Sequence, residues 1–202
     1  QRTARGRRRR LVPPVSRPRP GALRVVAGTA GGLRLEVPPG STTRPTADRV
    51  RQAIFNALDS LDAVEDAAVL DPFAGSGALA IEALSRGAAS ATLCETSAAA
   101  RQVIEANLAA TGFADRARVV AGPGERTVAA GGPWDLVLID PPYDFADWDG
   151  LLARLVPSLA ERAVVVVESD REVAVAPHLR VIRSKRYGST VVLFAARPGA
   201  PS

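Results

Sequence analysis

The chain has 202 residues, enough for one sizeable domain with a small extension, and its single cysteine excludes an intramolecular disulfide and argues against a metal site. No stretch reaches the roughly 18 apolar residues of a membrane span, and prolines interrupt the apolar segment after the first arginines, so we expect a cytoplasmic protein without an export signal. Residues 1–51 hold thirteen arginines against two acids, a net charge of +11, and residues 52–202 hold thirteen basic residues against nineteen acids, a net charge of −6, which favours a polyanionic partner such as RNA or DNA.

The chain is predicted to consist of three segments: a flexible arm rich in arginine and proline, 1–21; a β-hairpin with a loop, 22–45; and the main domain, 46–202. A solvated tail without a partner is the alternative for the arm. The hairpin is indicated by LRVVAG (23–28) and LRLEVP (33–38), which flank small residues. The main domain opens with a helix over 46–61, where apolar residues recur at helical spacing and Thr46 can act as N-cap.

From residue 67 onward the pattern alternates between strands and helices. Strands are predicted at 67–71, 90–95, 116–122, 134–140 and 163–169, and helices at 77–87, 97–112, 124–130 and 147–159. Residues 179–197 indicate two further strands with a tight turn near Gly188. This alternation predicts an α/β fold with a mostly parallel sheet of about seven strands and an antiparallel strand at the C-terminus.

A glycine-containing turn follows the first strand of the main domain. VLDPFAGSGALAIEAL (69–84) combines a buried strand ending at Asp71, a turn with Gly75 and Gly77, and the start of a helix. Small residues let the backbone approach a ligand, and the helix N-terminus presents free N–H groups. Glu95 ends the next strand, where an acid can accept both hydroxyls of a ribose. Together these residues predict a site for a nucleoside-bearing cofactor, although tight strand–helix turns also use glycine for structural reasons.

The fourth of these strands ends in IDPPY (139–143), an acid followed by two prolines and an aromatic residue. Proline has no backbone N–H, so this turn offers carbonyl oxygens and no donors. With the carboxylate of Asp140 it forms an array of acceptors for an –NH₂ group, which can hold the nitrogen lone pair toward an electrophile. Tyr143 supplies a flat face on which a base can stack. A purely structural turn at the end of a strand is the alternative.

These motifs resemble those of class I S-adenosylmethionine-dependent methyltransferases that modify amino groups. RPTADRVRQAIFNAL (44–58), with VVAGTAGGLRLEVPPG before it, is more narrowly similar to the RsmD family, which methylates a guanine N2 in bacterial small-subunit (16S) rRNA. The resemblance extends over about residues 23–197. It implies a Rossmann-like fold, S-adenosylmethionine as the methyl donor, and 16S rRNA in a partly assembled small subunit as the substrate. We expect the enzyme to be a monomer.

The resemblance also implies roles for individual residues. The cofactor pocket is expected to involve Asp71, Phe73, Gly75, Ser76, Gly77, Glu95 and Thr46. The target amine is expected to meet Asp140, Pro141, Pro142 and Tyr143. Contacts with RNA are expected from Arg24, Arg34, Arg44, Arg49 and Arg51. The last three can instead form a solvated helix start, although cations there oppose the helix dipole.

Two departures from the family pattern are visible. The hairpin turn has Gly31 and Leu33 where the family usually places basic residues, so we expect the N-terminal arm to supply the missing attraction for RNA. The loop AGPGE (121–125) lacks the usual polar residue for the adenine, so a contact through the backbone is expected and the role of Glu125 is left open. Other activities compatible with the motifs are N6-adenine methylation of DNA or RNA, glutamine methylation of a release factor, and a catalytically silent RNA-binding module.

Overall fold

The structure is a computed structural model that describes residues 23–40 and 45–199, with only the backbone described for residues 45–47. Its helices are α1 (Pro45–Asp59), α2 (Ala78–Ser85), α3 (Ala98–Thr111), α4 (Gly124–Thr127) and α5 (Trp148–Leu155). Its strands are β1 (Ala68–Asp71), β2 (Ser90–Glu95), β3 (Ala117–Ala121), β4 (Trp134–Ile139), β5 (Leu159–Ser169), β6 (Arg180–Tyr187) and β7 (Thr190–Ala196). The arm predicted at 1–21 lies outside the described residues.

One sheet of seven strands organises the described residues, in the order β3-β2-β1-β4-β5-β7-β6. The first five strands in this order run parallel to one another, whereas β7 is antiparallel to both β5 and β6. This confirms the predicted α/β fold with a mostly parallel sheet and an antiparallel C-terminal strand. The strand order reverses between β1 and β4, and open α/β sheets bind ligands at such a reversal, beyond the carboxyl ends of the strands.

The central strands β1, β4 and β5 are buried on both faces over most of their length, which explains their apolar runs. In β4, Leu136 and Leu138 join a core cluster that also contains residues of the hairpin, α1, α2 and α3. The alternate residues Val137 and Ile139 join a second cluster, on the face that α5 covers. In the described part of the chain, no helix has both the length and the apolar character needed to cross a bilayer.

The predicted boundary between the fifth helix and the following strand is wrong. The helix predicted over 147–159 ends at Leu155, a short 3₁₀ turn follows, and β5 starts at Leu159 instead of residue 163. Pro157 lies in that turn and has no N–H to donate to a preceding helical carbonyl, so the helix stops before it. The early part of β5 is less apolar than the rest of the strand, so the apolar pattern does not mark where the strand begins.

The N-terminal hairpin is less regular than predicted. The two strands expected at 23–28 and 33–38 reduce to one antiparallel bridge between Arg24 and Arg34. This bridge consists of two backbone hydrogen bonds, from the N–H of Val25 to Leu33 and from the N–H of Leu35 to Leu23, each at 2.9 Å, and the N–H of Gly32 also donates to Val25 at 2.9 Å. With so few bonds of its own, the hairpin depends on contacts with the main domain.

Glu82 of α2 fixes the hairpin to the main domain. Its side chain is fully buried, and it accepts hydrogen bonds from the backbone N–H groups of Val26 at 2.7 Å and Ala27 at 3.0 Å. The Nε of Arg86 donates to the same carboxylate at 2.8 Å, and the Nε of Arg51 lies 3.7 Å from it. A buried carboxylate is tolerated only when it is paired and hydrogen-bonded in this way. The hairpin, α1 and α2 are therefore joined through one acidic side chain.

Candidate functional site

A cavity of about 800 Å³ lies at the carboxyl ends of β1, β2, β4 and β5, next to the reversal in strand order. The predicted site residues that line it are Phe73, Gly75, Ser76, Glu95, Asp140, Pro142 and Arg51. The turn after β1 and the turn after β4, far apart in sequence, therefore meet at one cavity. Asp71, Gly77, Pro141 and Tyr143 are not part of its lining. Arg44 lies outside the described residues, and Thr46 is described only in its backbone.

The turn after β1 requires glycine at two positions. Gly75 and Gly77 have φ angles of 54° and 78°, in the left-handed region that side chains with a Cβ disfavour. A Cβ on Gly77 would also lie 3.2 Å from the side chain of Leu93, behind the turn. Gly77 is the N-cap of α2 and has no side chain to cap it, so the first N–H groups of the helix are left for other acceptors.

Glu95 connects this turn with the next strand–helix junction. Its carboxylate accepts hydrogen bonds from the N–H of Gly75 at 3.0 Å and from the N–H of Ser97, just before α3, at 2.8 Å. The hydroxyl of Thr96 also donates to it at 3.3 Å. A carboxylate can accept about four hydrogen bonds, so an acceptor position remains for a hydroxyl group of a ligand. The side chain lines the cavity, as the sequence analysis expected of a ribose-binding acid.

Asp71 lies beneath the cavity. Its side chain is 1% exposed, and neither of its carboxylate oxygens has a hydrogen-bond partner among the described residues. Burial raises its pKa to about 7, and the charge of Asp140 acts in the same direction. The backbone N–H groups of Phe73 and Ala80 oppose this shift, although neither makes a hydrogen bond of ordinary geometry. Asp71 therefore supports the floor of the site and is close to half protonated at neutral pH.

The turn after β4 places Asp140 at the cavity and Tyr143 outside it. Asp140 is exposed on its cavity side and surrounded by protein elsewhere, so partial desolvation raises its pKa to about 6. Tyr143 is 62% exposed, and the aromatic residue of this turn that lines the cavity is Phe145. The Phe145 ring packs edge-on against Phe73, with ring centroids 5.3 Å apart, and against Trp148, at 5.1 Å.

Arg171 holds this turn in place. Its guanidinium donates a hydrogen bond to the carbonyl of Tyr143 at 2.9 Å and another to the carbonyl of Phe145 at 2.8 Å. Arg171 follows β5, so the loops after β4 and β5 are connected at the cavity edge. The sequence gives no sign of this role, because a lone arginine in a loop has the appearance of a solvated side chain.

Glu168 is a cavity residue that the sequence analysis missed. Val167 of β5 pairs with Ile139 of β4, and Glu168 and Asp140 are the next residues of these neighbouring parallel strands. Both line the cavity. Burial raises the pKa of Glu168 to about 8, the charge of Asp140 adds to this shift, and Arg51 opposes it. The sequence did contain one signal for Glu168. It lies near the end of an apolar strand, at the same sheet edge as Glu95 and Asp140.

Arg51, which the sequence analysis expected to contact RNA, is buried between the hairpin and the cavity. Arg51 is 4% exposed, and its guanidinium donates to the backbone carbonyl of Arg24 and, at 3.0 Å, to Asp48. The reason is that Arg51 lies on the face of α1 turned toward the hairpin and Glu82. Arg24, Arg34 and Arg49 are exposed, and Arg24 lies 3.9 Å from Asp48.

An unpartnered acceptor marks the other end of the cavity. The Oε2 atom of Glu125, in α4, is buried and has no hydrogen-bond partner among the described residues, and the side chain lines the cavity. The helix is packed closely there, because a Cβ on Gly124 would lie 2.1 Å from the carbonyl oxygen of Pro72. No group of three acidic, histidine or cysteine residues in the described ranges could hold a metal ion.

Known proteins resemble this chain in sequence and in fold. A family model described as "Conserved hypothetical protein 95" matches residues 23–196. Ribosomal RNA small subunit methyltransferase D of Escherichia coli is 42% identical over 159 residues, which cover 75% of this chain and 77% of that protein. YlbH of Bacillus subtilis is 32% identical over 186 residues, 88% of this chain and 100% of that protein. The solved structure of yhhF from Escherichia coli has a TM-score of 0.77 and 39% identity, covering 88% of this chain and 98% of that one.

Proposed function

The chain belongs to the Conserved hypothetical protein 95 family, and from this premise we propose that it transfers a methyl group from S-adenosylmethionine to the N2 amine of a guanine in bacterial 16S rRNA. The observation that carries the proposal is the position of Asp140 and the two prolines after it. Asp140 and Pro142 line the same cavity as the glycine turn and Glu95. An amine acceptor array thus shares a cavity with a site suited to a nucleoside.

The residues of the cavity fit the cofactor. S-adenosylmethionine supplies an electrophilic methyl group on a sulfonium sulfur. Glu95 keeps an acceptor position for a ribose hydroxyl after its bonds to Gly75, Ser97 and the Thr96 hydroxyl. The buried, unpartnered oxygen of Glu125 is an acceptor for the amino group of adenine, so the contact is assigned to a side chain where the sequence suggested the backbone alone. Phe73 supplies an apolar surface between these polar groups.

The turn after β4 prepares the amine for attack. The lone pair of the guanine N2 amine is delocalised into the ring, so the nitrogen is a poor nucleophile. Asp140 and the carbonyl of Pro141 accept its two hydrogens and favour a pyramidal nitrogen whose lone pair points toward the methyl group. The nitrogen gains the methyl group, the sulfur keeps the electron pair of the broken bond, and one amine proton leaves to Asp140 or water. Asp140 need not be a strong base, because methylation makes the amine acidic.

The reacting base has to leave its stack to reach this site. The amine edge of a paired guanine is buried in a helix, so the base must be unpaired or flipped out. Phe145 at the cavity and the exposed Tyr143 outside it provide aromatic faces for the base, and such stacking is worth about 1–3 kcal/mol. We propose a monomeric cytoplasmic enzyme that acts on rRNA in partly assembled small subunits.

Labelled methyl transfer followed by nucleoside analysis tests this proposal. Small-subunit particles and naked 16S rRNA from a strain that lacks the enzyme would be incubated with purified protein and labelled S-adenosylmethionine. We expect N2-methylguanosine, with faster transfer to particles than to naked rRNA. N6-methyladenosine, or label only in a release factor glutamine, would replace the proposed substrate. An absence of both transfer and cofactor binding would favour a catalytically silent RNA-binding module.

A further inference from the structure

The edge strand β6 carries a concentration of positive charge that the catalytic site does not use. Its eight residues, Arg180–Tyr187, include Arg180, Arg183, Lys185 and Arg186 and no acid. Residues 180–186 are all exposed, and β6 is the last strand of the sheet in the described part of the chain. We propose that Arg183, Lys185 and Arg186 form a docking surface for the phosphate backbone of the RNA substrate, an inference that rests on the proposed rRNA methyltransferase function.

The register of the sheet puts this surface beside the cavity. Glu168 of β5 pairs with Val192 of β7, and Val192 pairs with Lys185 of β6. Neighbouring strands are about 4.8 Å apart, so the backbone of Lys185 lies about 10 Å from that of Glu168. In the next row, Ser169 is connected with Arg186 through Val191 in the same way. A strand of RNA with its target base in the cavity can therefore reach the C-terminal half of β6.

Arg183 and Lys185 lie on one face of the sheet, whereas Arg186, which pairs with Val191, lies on the other. Residues paired across strands share a face, so Lys185 lies on the same side as Val192 and Glu168. Arg183 pairs with Phe194, which belongs to the same core cluster as Val192. This is the face that α1 covers further along the sheet. Two cations of β6 therefore extend outward from the face on which Glu168 reaches the cavity.

The three cations are available to a ligand. Arg183, Lys185 and Arg186 form no ion pair with an acid in the described part of the chain, and Lys185 is steadied by the ring of Tyr187, with its Nζ 5.1 Å from the ring centroid. By contrast, Arg86 is committed to Glu82 and Asp59. Unneutralised lysine and arginine residues are the groups that bind nucleic-acid phosphates.

Charged residues on an edge strand also prevent pairing with other chains. Either sign of charge serves that purpose, whereas every charged residue of β6 is positive and residues 52–202 as a whole carry a net charge of −6. The uniform sign indicates a polyanionic partner. The difference between the two roles also defines the test, because a strand with reversed charge still protects the edge but repels RNA.

The test compares a charge-reversed variant, Arg183→Glu with Lys185→Glu and Arg186→Glu, with the wild type. Binding of a small-subunit rRNA fragment would be measured by fluorescence anisotropy at several salt concentrations. We expect affinity at 0.1 M salt to fall by on the order of 10²-fold or more, and the slope of log K against log salt to become shallower by about 2, or about 0.7 for each lost contact. Affinity for S-adenosylmethionine should be unchanged, which shows that the variant is folded.

Two controls keep the test decisive. Arg162→Glu reverses an exposed charge near the start of β5, toward the other end of the sheet, and should leave the salt slope unchanged. Arg183→Lys with Arg186→Lys keeps the charge and should bind as the wild type does. If the charge-reversed variant kept the wild-type affinity and salt slope and still transferred methyl groups, the proposed docking surface would be overturned. A wild type that binds this RNA but transfers no methyl group would instead overturn the proposed function.

Discussion

Three carboxylates lie at one cavity, at the carboxyl ends of β2, β4 and β5, and their environments differ. Glu95 is held by the backbone N–H groups of Gly75 and Ser97 and remains an acceptor for further hydrogen bonds. Asp140 and Glu168 lie next to each other with fewer partners, and desolvation raises their pKa values to about 6 and about 8. Desolvation therefore disfavours the simultaneous ionisation of these two neighbouring carboxylates.

The raised pKa of Asp140 predicts a pH dependence of methyl transfer. Only the ionised carboxylate accepts both a hydrogen bond and, later, a proton, so the single-turnover rate should rise with pH through about 6 and flatten above it. An ordinary aspartate, with a pKa near 3.8, would already be fully active at pH 5. The comparison variant is Asp140→Asn, whose residual rate should lack this inflection. A wild-type rate that stays constant down to pH 5 would contradict the assigned ionisation.

The burial of Asp71 predicts that its carboxyl destabilises the fold as the pH rises. The folded-state pKa of about 7 lies above the ordinary value of 3.8, so the native state binds the proton more tightly and loses stability between about pH 4 and pH 7. Asp71→Asn cannot ionise. Relative to this variant, the wild type should lose up to about 4 kcal/mol of unfolding free energy between pH 4 and pH 8, measured by urea denaturation. An unchanged difference across that range would show that Asp71 is not desolvated.

Single residues also show where sequence reasoning succeeded and failed. Glu95 and Asp140 could be located because each ends an apolar run and is followed by an unusual turn or a helix start. Glu168 lacks such a neighbour motif, and its proximity to Asp140 depends on β4 and β5 being adjacent, which the sequence does not encode locally. Arg51 was assigned to RNA because its charge was visible, whereas its burial depends on which face of α1 meets the hairpin.

At the scale of elements, the hairpin and α2 behave as one unit because of Glu82. The carboxylate accepts hydrogen bonds from two backbone N–H groups and lies between two arginines. Glu82→Gln keeps the size of the side chain but removes its charge and turns an NH₂ group toward donors. We expect the variant to lose about 3–5 kcal/mol of unfolding free energy, measured by urea denaturation. The exposed Glu161→Gln, in β5, is the matched control and should change stability by less than about 0.5 kcal/mol.

A loss below about 1 kcal/mol in Glu82→Gln would mean that the hairpin is held by its apolar contacts alone. Those contacts are real, since Leu23, Val25 and Leu35 are buried in the core. The alternation of helices and strands was predictable because apolar periodicity is local. The hairpin was predicted in position, but its short extent was not, because it has only one bridge of its own and is shaped by its contacts with α2. The end of α5 was predicted too late, because the apolar pattern continues past Pro157 although proline interrupts the helix there.

At the scale of the whole molecule, the sheet brings three parts of the chain to one edge. These are the glycine turn with Glu95, the turn after β4 with Glu168, and the C-terminal half of β6. The reversal in strand order between β1 and β4 opens the cavity, the cofactor motif occupies the β1–β2 side, and the amine motif occupies the β4–β5 side. The antiparallel pair β7 and β6 then extends the sheet beyond β5 and carries a strand whose charged residues are all positive. The cavity and the proposed RNA-docking surface are thus adjacent along one edge of the sheet, while the residues after position 51 carry a net negative charge.

The most direct test of the account is single-turnover methyl transfer to small-subunit rRNA by Asp140→Ala, measured alongside S-adenosylmethionine binding by calorimetry in the same preparation. Removing the carboxylate removes the acceptor for the amine but leaves the glycine turn and Glu95 intact. We therefore expect transfer to fall by on the order of 10²–10⁴-fold, with cofactor affinity within a few fold of the wild type. Near-normal transfer by this variant would contradict the claim that the turn after β4 holds and activates the amine.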